Sequence, residues 1–198
     1  MPTSRLEAFS DGVLAIVITI MVLELRVPSD ASLAALGKSA GLGFLSYLLS
    51  FVYIGIYWTN HHHIFQVVER VSGLVLWANL HLLFWLSLFP FTTTWLDKTG
   101  LAQTPTVLYG MNLLLAGVAY NALVRAIFYT EGAGSQLRKA LGQDLKGKIS
   151  PLLCILGIGL AFVATWLSMV SYAVLAVIWL VPDRRVERFL AEQEQGRL

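Results

Sequence analysis

Apolar runs of bilayer length alternate with short polar joints along this chain. The first run is the clearest: from Val13 to Leu23 only Thr19 interrupts it, with Arg5, Glu7, Ser10 and Asp11 before it and Glu24, Arg26 and Pro28 after it. A spanning helix needs about 20 predominantly apolar residues, and the pattern predicts one over about 8–27. Proline and turn formers at Pro28 to Asp30 close that span. Residues 31–40 read as a short amphipathic approach to a second span over about 41–67, and Glu69-Arg70 as a tight turn. A third span covers about 72–96, with Pro90 deep enough to kink it. A fourth covers about 105–128, opening on Pro105 in its first turn. The stretch 150–181 is almost uninterrupted apolar sequence, too long for one ordinary span at about 1.5 Å per residue. It reads as two, 150–168 and 170–182, reversing near Ser168 to Ser171. Residues 1–182 are thus expected to form one all-α, six-span integral membrane domain, with 183–198 a charged tail.

Composition strengthens this picture. The chain is 57% hydrophobic and only 13% charged, with a mean hydropathy of +0.69, whereas an average soluble domain is about 25% charged. Its first partner is therefore the lipid bilayer. A formal charge of +2 is too small to argue for nucleic acid, but its distribution sets an orientation. With six spans, eleven Lys and Arg residues fall on one face of the membrane and three, Arg26, Lys38 and Lys98, on the other. The positive-inside rule then makes both termini cytoplasmic. The N-terminus has no small-residue cleavage site, so the first span is expected to be retained. A single cysteine, Cys154, excludes an intramolecular disulfide and a multi-cysteine metal site.

A rotation of about 100° per residue puts Phe9, Ile16, Ile20, Leu23 and Val27 within roughly 40° of one line on the first helix. Thr19 lies to one side of this aliphatic stripe and Asp11 on the far side. The stripe reads either as lipid-facing packing or as the wall of a conduction path. Glu7 and Asp11, spaced i and i+4, repel one another, and Arg5 is too far round the helix to neutralise Asp11. A partner must come from another helix. The end of span two and the start of span three lie at the same membrane level, bringing Trp58, Asn60, His61, Asn79 and His81 within range. Such a cluster serves as packing glue between helices or as an ion- or proton-handling site. The run His61-His62-His63 does not make a metal site, because successive side chains diverge by about 100°. One histidine is expected to face inward and the others to meet headgroups or water. Carbonyl-filter sequence of the TVGYG kind is absent, so selectivity in a channel would come from side chains and an apolar constriction.

The residues Arg5-x-x-x-Phe9-Ser10-Asp11 opening the first span resemble the RxxxFSD motif of the transmembrane protein 175 family, lysosomal potassium channels with shorter prokaryotic relatives. Trp58, His61, Asn79 and Pro90-Phe91 look like further marks of the same family. The motif occurs once here, whereas animal members carry two six-span repeats, so the chain resembles a single-repeat prokaryotic member of the plasma membrane. The resemblance implies a potassium-permeable homotetramer built around four copies of the first helix, with no enzymatic activity and no cofactor. By correspondence, Ile16 would form the hydrophobic constriction. Thr19 would be the hydroxyl linked to cation preference, with potassium passing transiently beside it, and Ile20 and Leu23 would continue the wall, with Val27 expected to line it further out by its place on the same helical line. Arg5, Phe9, Ser10 and Asp11 with Trp58, His61 and Asn79 would form the motif network, which Asn60 and His81 are expected to join by their membrane level. Two other readings stay open on the residues: a small proton-coupled transporter using Asp11 and the histidines, and a membrane-embedded metal or haem enzyme.

Overall fold

Helix α1, Thr3–Leu23, is fastened to the rest of the chain along one narrow seam. The computed structural model describes residues 3–28, 30–68, 71–132, 135, 137–138 and 145–180. Leu6, Ser10, Leu14, Val17 and Met21 recur every three or four positions and are buried, the spacing that places side chains on one helical face. Most of the remaining circumference is exposed. The helix ends at Leu23, four residues before the expected boundary, and Glu24 to Pro28 continue without helical structure. Val27 therefore lies beyond the helix, and its expected place on the stripe is corrected.

Helix α2, Leu33–Val67, is continuous through the stretch expected to be a separate amphipathic approach. Helices α3, Gly73–Ser87, and α4, Phe89–Lys98, are two halves of the third span, broken at Leu88. Pro90 has no N–H to offer the preceding turn, and the chain tightens there, Leu88 N donating to Trp85 O at 3.2 Å. Helix α5 is Gln103–Glu131. Among the described residues four rods, 3–23, 41–67, 73–98 and 103–131, are long and apolar enough to cross a membrane.

Helices α6, Leu145–Leu160, and α7, Thr165–Leu180, make a shorter hairpin of 16 residues per arm. Their reversal lies at residues 161–164, not near Ser168 to Ser171. The turn carries no charge, glycine or proline. Its backbone closes on itself, Ala164 N donating to Leu160 O at 2.8 Å and Val163 N to the same carbonyl at 3.0 Å. Ser168 and Ser171 are buried inside α7, and Ser171 Oγ donates to Leu153 O of α6 at 3.1 Å. Among the described residues the helices thus form six rods and no strands, an all-α membrane fold. The tight turn expected at Glu69-Arg70, residues 139–144 of the basic segment and the tail over 183–198 lie outside the described residues.

The core gathers α2, α4, α5 and α7 around tyrosines. Tyr109 packs on Phe89 and Tyr172 and shares its hydroxyl with Ser50 at 3.0 Å, while Ser50 also bonds Thr93 at 2.7 Å. Tyr53 donates to the Tyr172 carbonyl at 2.6 Å. The Tyr172 ring occupies room that only glycine leaves, since a Cβ on Gly110 or Gly157 would overlap it. Polar side chains paired between helices hold them together where water is absent.

Asp11, Trp58, His63, Trp179 and Leu180 line one open cleft between α1, α2 and α7. The start of α1 and the end of α7 therefore lie at the same end of the bundle, here the near end. The ends of α1 and α4 meet at the far end, where Lys98 reaches Glu24.

Candidate functional site

The near end holds a one-way chain of hydrogen bonds linking three helices. Ser10 Oγ donates to Leu6 O at 2.9 Å. Its proton is thus spent within α1, and its oxygen accepts from Asn79 Nδ2 of α3 at 3.0 Å. That fixes the amide, so Asn79 Oδ1 faces His61 Nε2 of α2 at 2.9 Å. An amide oxygen only accepts, so His61 carries a proton on Nε2. Ser10, His61 and Asn79 are all buried, where a missing partner would be costly.

Asp11 sits at the exposed rim of this cluster and accepts from Trp58 Nε1 at 2.9 Å. The partner that Glu7–Asp11 repulsion demands is thus an indole on α2. Trp58 stacks on His62, whose Nδ1 lies 3.9 Å from Glu7 Oε2, so both carboxylates of α1's first turns are met by α2.

Other expected members stand apart. Asn60 bonds its own helix, Nδ2 donating to Ile56 O at 2.8 Å. His81 accepts from Trp85 of its own helix at 3.0 Å on an exposed face. Arg5 and Phe9 are exposed. Asn60 is thus spent on its own helix, and His81 points off the seam that Asn79 shares with Ser10. Of the triple histidine, His61 is buried, His63 half-buried and His62 exposed. Among the described residues no three ligating side chains gather as a metal site.

The stripe is open. Phe9, Ile16, Ile20 and Leu23 are 55%, 59%, 44% and 81% exposed. Thr19 is exposed beside them and donates its hydroxyl proton to Ile16 O at 2.9 Å. The hydroxyl therefore presents oxygen lone pairs outward, which suits a cation better than an anion. Ala8, Gly12, Ala15 and Thr19 form a second exposed line of small residues on the adjoining flank, with nothing within 4 Å of a Cβ placed on Gly12.

At the far end two ion pairs join the close of α1 to the last turn of α4. Arg26 Nε lies 3.5 Å from Asp97 Oδ2, and Lys98 Nζ 3.4 Å from Glu24 Oε2. Asp97 is pressed against α2, where a Cβ on Gly43 would collide with its carboxylate. These pairings were not anticipated. The opposite charges at 24, 26, 97 and 98 were visible, but no spacing rule joins residues so distant in the chain.

The comparisons agree with this architecture. A family model described as the endosomal/lysosomal potassium channel TMEM175 matches residues 5–90, the part holding the hydrogen-bonded chain and most of α1 to α4. A protein of Chryseobacterium sp. named a potassium channel is 49% identical over 192 residues, 97% of this chain and all of that one. The crystal structure of a lysosomal potassium-selective channel TMEM175 homolog from Chamaesiphon minutus superposes with a TM-score of 0.75 at 30% identity, covering 90% of this chain and 96% of the other. The zebrafish endosomal/lysosomal proton channel TMEM175 is 39% identical over 82 residues, 36% of this chain and 16% of that longer protein.

Proposed function

The chain belongs to the TMEM175 family of cation channels, and on that premise we propose that it conducts potassium through a homotetramer whose ion path is walled by four copies of α1. It is a multi-pass membrane protein and not an enzyme. The observation that carries the proposal is the single buried seam of α1. A helix whose near end is tied by Ser10 and Asp11 to two neighbours would be expected deep in a bundle, yet it leaves two further faces open. One is aliphatic and the other is lined by small residues. In a ring of copies, the line Ala8, Gly12, Ala15 and Thr19 allows close approach of a neighbouring subunit, as small residues do between membrane helices. The aliphatic stripe then faces the axis. One chain encloses no pore, so closure needs cyclic symmetry.

Within that ring Ile16 forms the constriction. Water and a hydrated cation are unfavourable inside an aliphatic collar, so the barrier is one of dewetting. Thr19, one turn on, supplies oxygens that replace part of the hydration shell. Neither step needs a cofactor. The positive-inside distribution puts the near end, and both termini, in the cytoplasm of a prokaryotic cell. Purified protein in vesicles carrying a potassium gradient tests the reading: flux that runs down the gradient and scales with tetramer content supports it, and a preparation that is monomeric while active overturns it.

A further inference from the structure

The far-end ion pairs differ in a way that gives them separate tasks. Asp97 is 15% exposed, wedged against the backbone of α2 at Gly43 and paired with Arg26. Its carboxylate is part of the packing. Glu24 and Lys98 are 45% and 58% exposed and, among the described residues, form an ion pair with each other alone, a water-screened pair of the kind that contributes little stability. Both also line an open cleft with Ile20, Phe91 and Trp95 at the last turn of the stripe. A charge pair so weakly bound, placed where the stripe ends, matters chiefly for the potential that an approaching ion meets.

We propose that Lys98 sets the conductance of the far mouth by neutralising Glu24, and that Glu24 released from Lys98 is a cation-concentrating site at the entrance to the stripe. This rests on α1 walling the ion path. With Lys98 in place each subunit presents a neutral pair. Without it, each presents an uncompensated carboxylate, and a ring of carboxylates raises the local concentration of cations, divalent ions most strongly. The effect is electrostatic and must follow screening: a charge is felt over about 30 Å at 0.01 M salt but about 3 Å at 1 M.

The full chain in planar bilayers provides the test, with potassium conductance read at low and at molar KCl, and with barium added on the far side. Lys98→Gln is expected to raise low-salt conductance severalfold, to leave molar-salt conductance at the parent value, and to make barium block stronger. Glu24→Gln should lower low-salt conductance and abolish the effect of Lys98→Gln in the double variant. Lys98→Arg keeps the charge and should behave as the parent. A response to Lys98→Gln that is flat, or equal at both salt concentrations, overturns the proposal, as does a Lys98→Arg channel that matches Lys98→Gln. Ile16→Asn is measured alongside: if it conducts like the parent, the pore reading fails, whereas a leaky Ile16→Asn beside a flat Lys98→Gln removes this inference alone.

Discussion

Asn79 donates to Ser10 across 3.0 Å, joining the pore-helix candidate α1 to α3 by an amide whose other end is held by His61. Asn79→Leu removes the middle of that chain and leaves Ser10 Oγ and His61 Nε2 facing apolar carbon. The expected loss is about 1–3 kcal/mol, from the cost of unmade buried hydrogen bonds. Thermal unfolding of the purified protein would read this as a lowered midpoint, with tetramer yield falling in parallel.

Trp58→Phe and Asp11→Asn test the rim in a different manner. Both weaken the 2.9 Å indole–carboxylate bond, so their effects on stability should be non-additive, the double variant losing little more than the worse single one. A double-mutant cycle measures this coupling directly. Additive losses would mean that the bond is formed only weakly in the membrane. Selectivity should survive both changes, since Asp11 faces away from the stripe.

The stripe makes a graded prediction. Ile16→Leu keeps volume and polarity and should leave flux near the parent value, whereas Ile16→Asn wets the collar and should raise leak for several cations. Flux per assembled channel is the quantity to compare.

Thr19→Val replaces a hydroxyl by a methyl group of similar volume. Potassium should still pass, with weaker preference over sodium, because the oxygens facing the path are gone. Bi-ionic reversal potentials report the change.

Gly157→Ala places a methyl group where the Tyr172 ring lies. Overpacking of this kind costs about 1–3 kcal/mol, so the variant should melt earlier while keeping its ion preference, the site being remote from α1. Tyr172→Leu in the same background should restore part of the loss by vacating the space.

Much of α1 was legible because one helix obeys local rules. The 100° rotation alone separates Ile16 and Ile20 from Asp11, and like-charge spacing alone says that Asp11 needs a partner from elsewhere. The choice of Trp58 over Asn60 or His81 was not legible, since it depends on how α2 and α3 are rotated against α1. The reversal between α6 and α7 was hidden for another reason. In water a turn is marked by polar residues that satisfy the backbone, but Ala161 to Ala164 bond back to the preceding helical turn and leave Phe162 and Val163 exposed. Ser168 and Ser171 looked like punctuation and are instead buried between helices. Val27 was misplaced because helical rotation was carried past Leu23, where the helix has stopped.

The start of α1 and the end of α7 share one end of the bundle. A second copy could therefore be spliced onto the first in the same reading direction and enter the membrane in the same orientation, with no extra crossing to correct its polarity. The six-rod unit is, in this sense, ready for tandem duplication. It also lends itself to covalent concatemers in which one, two or three altered copies of Ile16 or Lys98 are counted into each assembly.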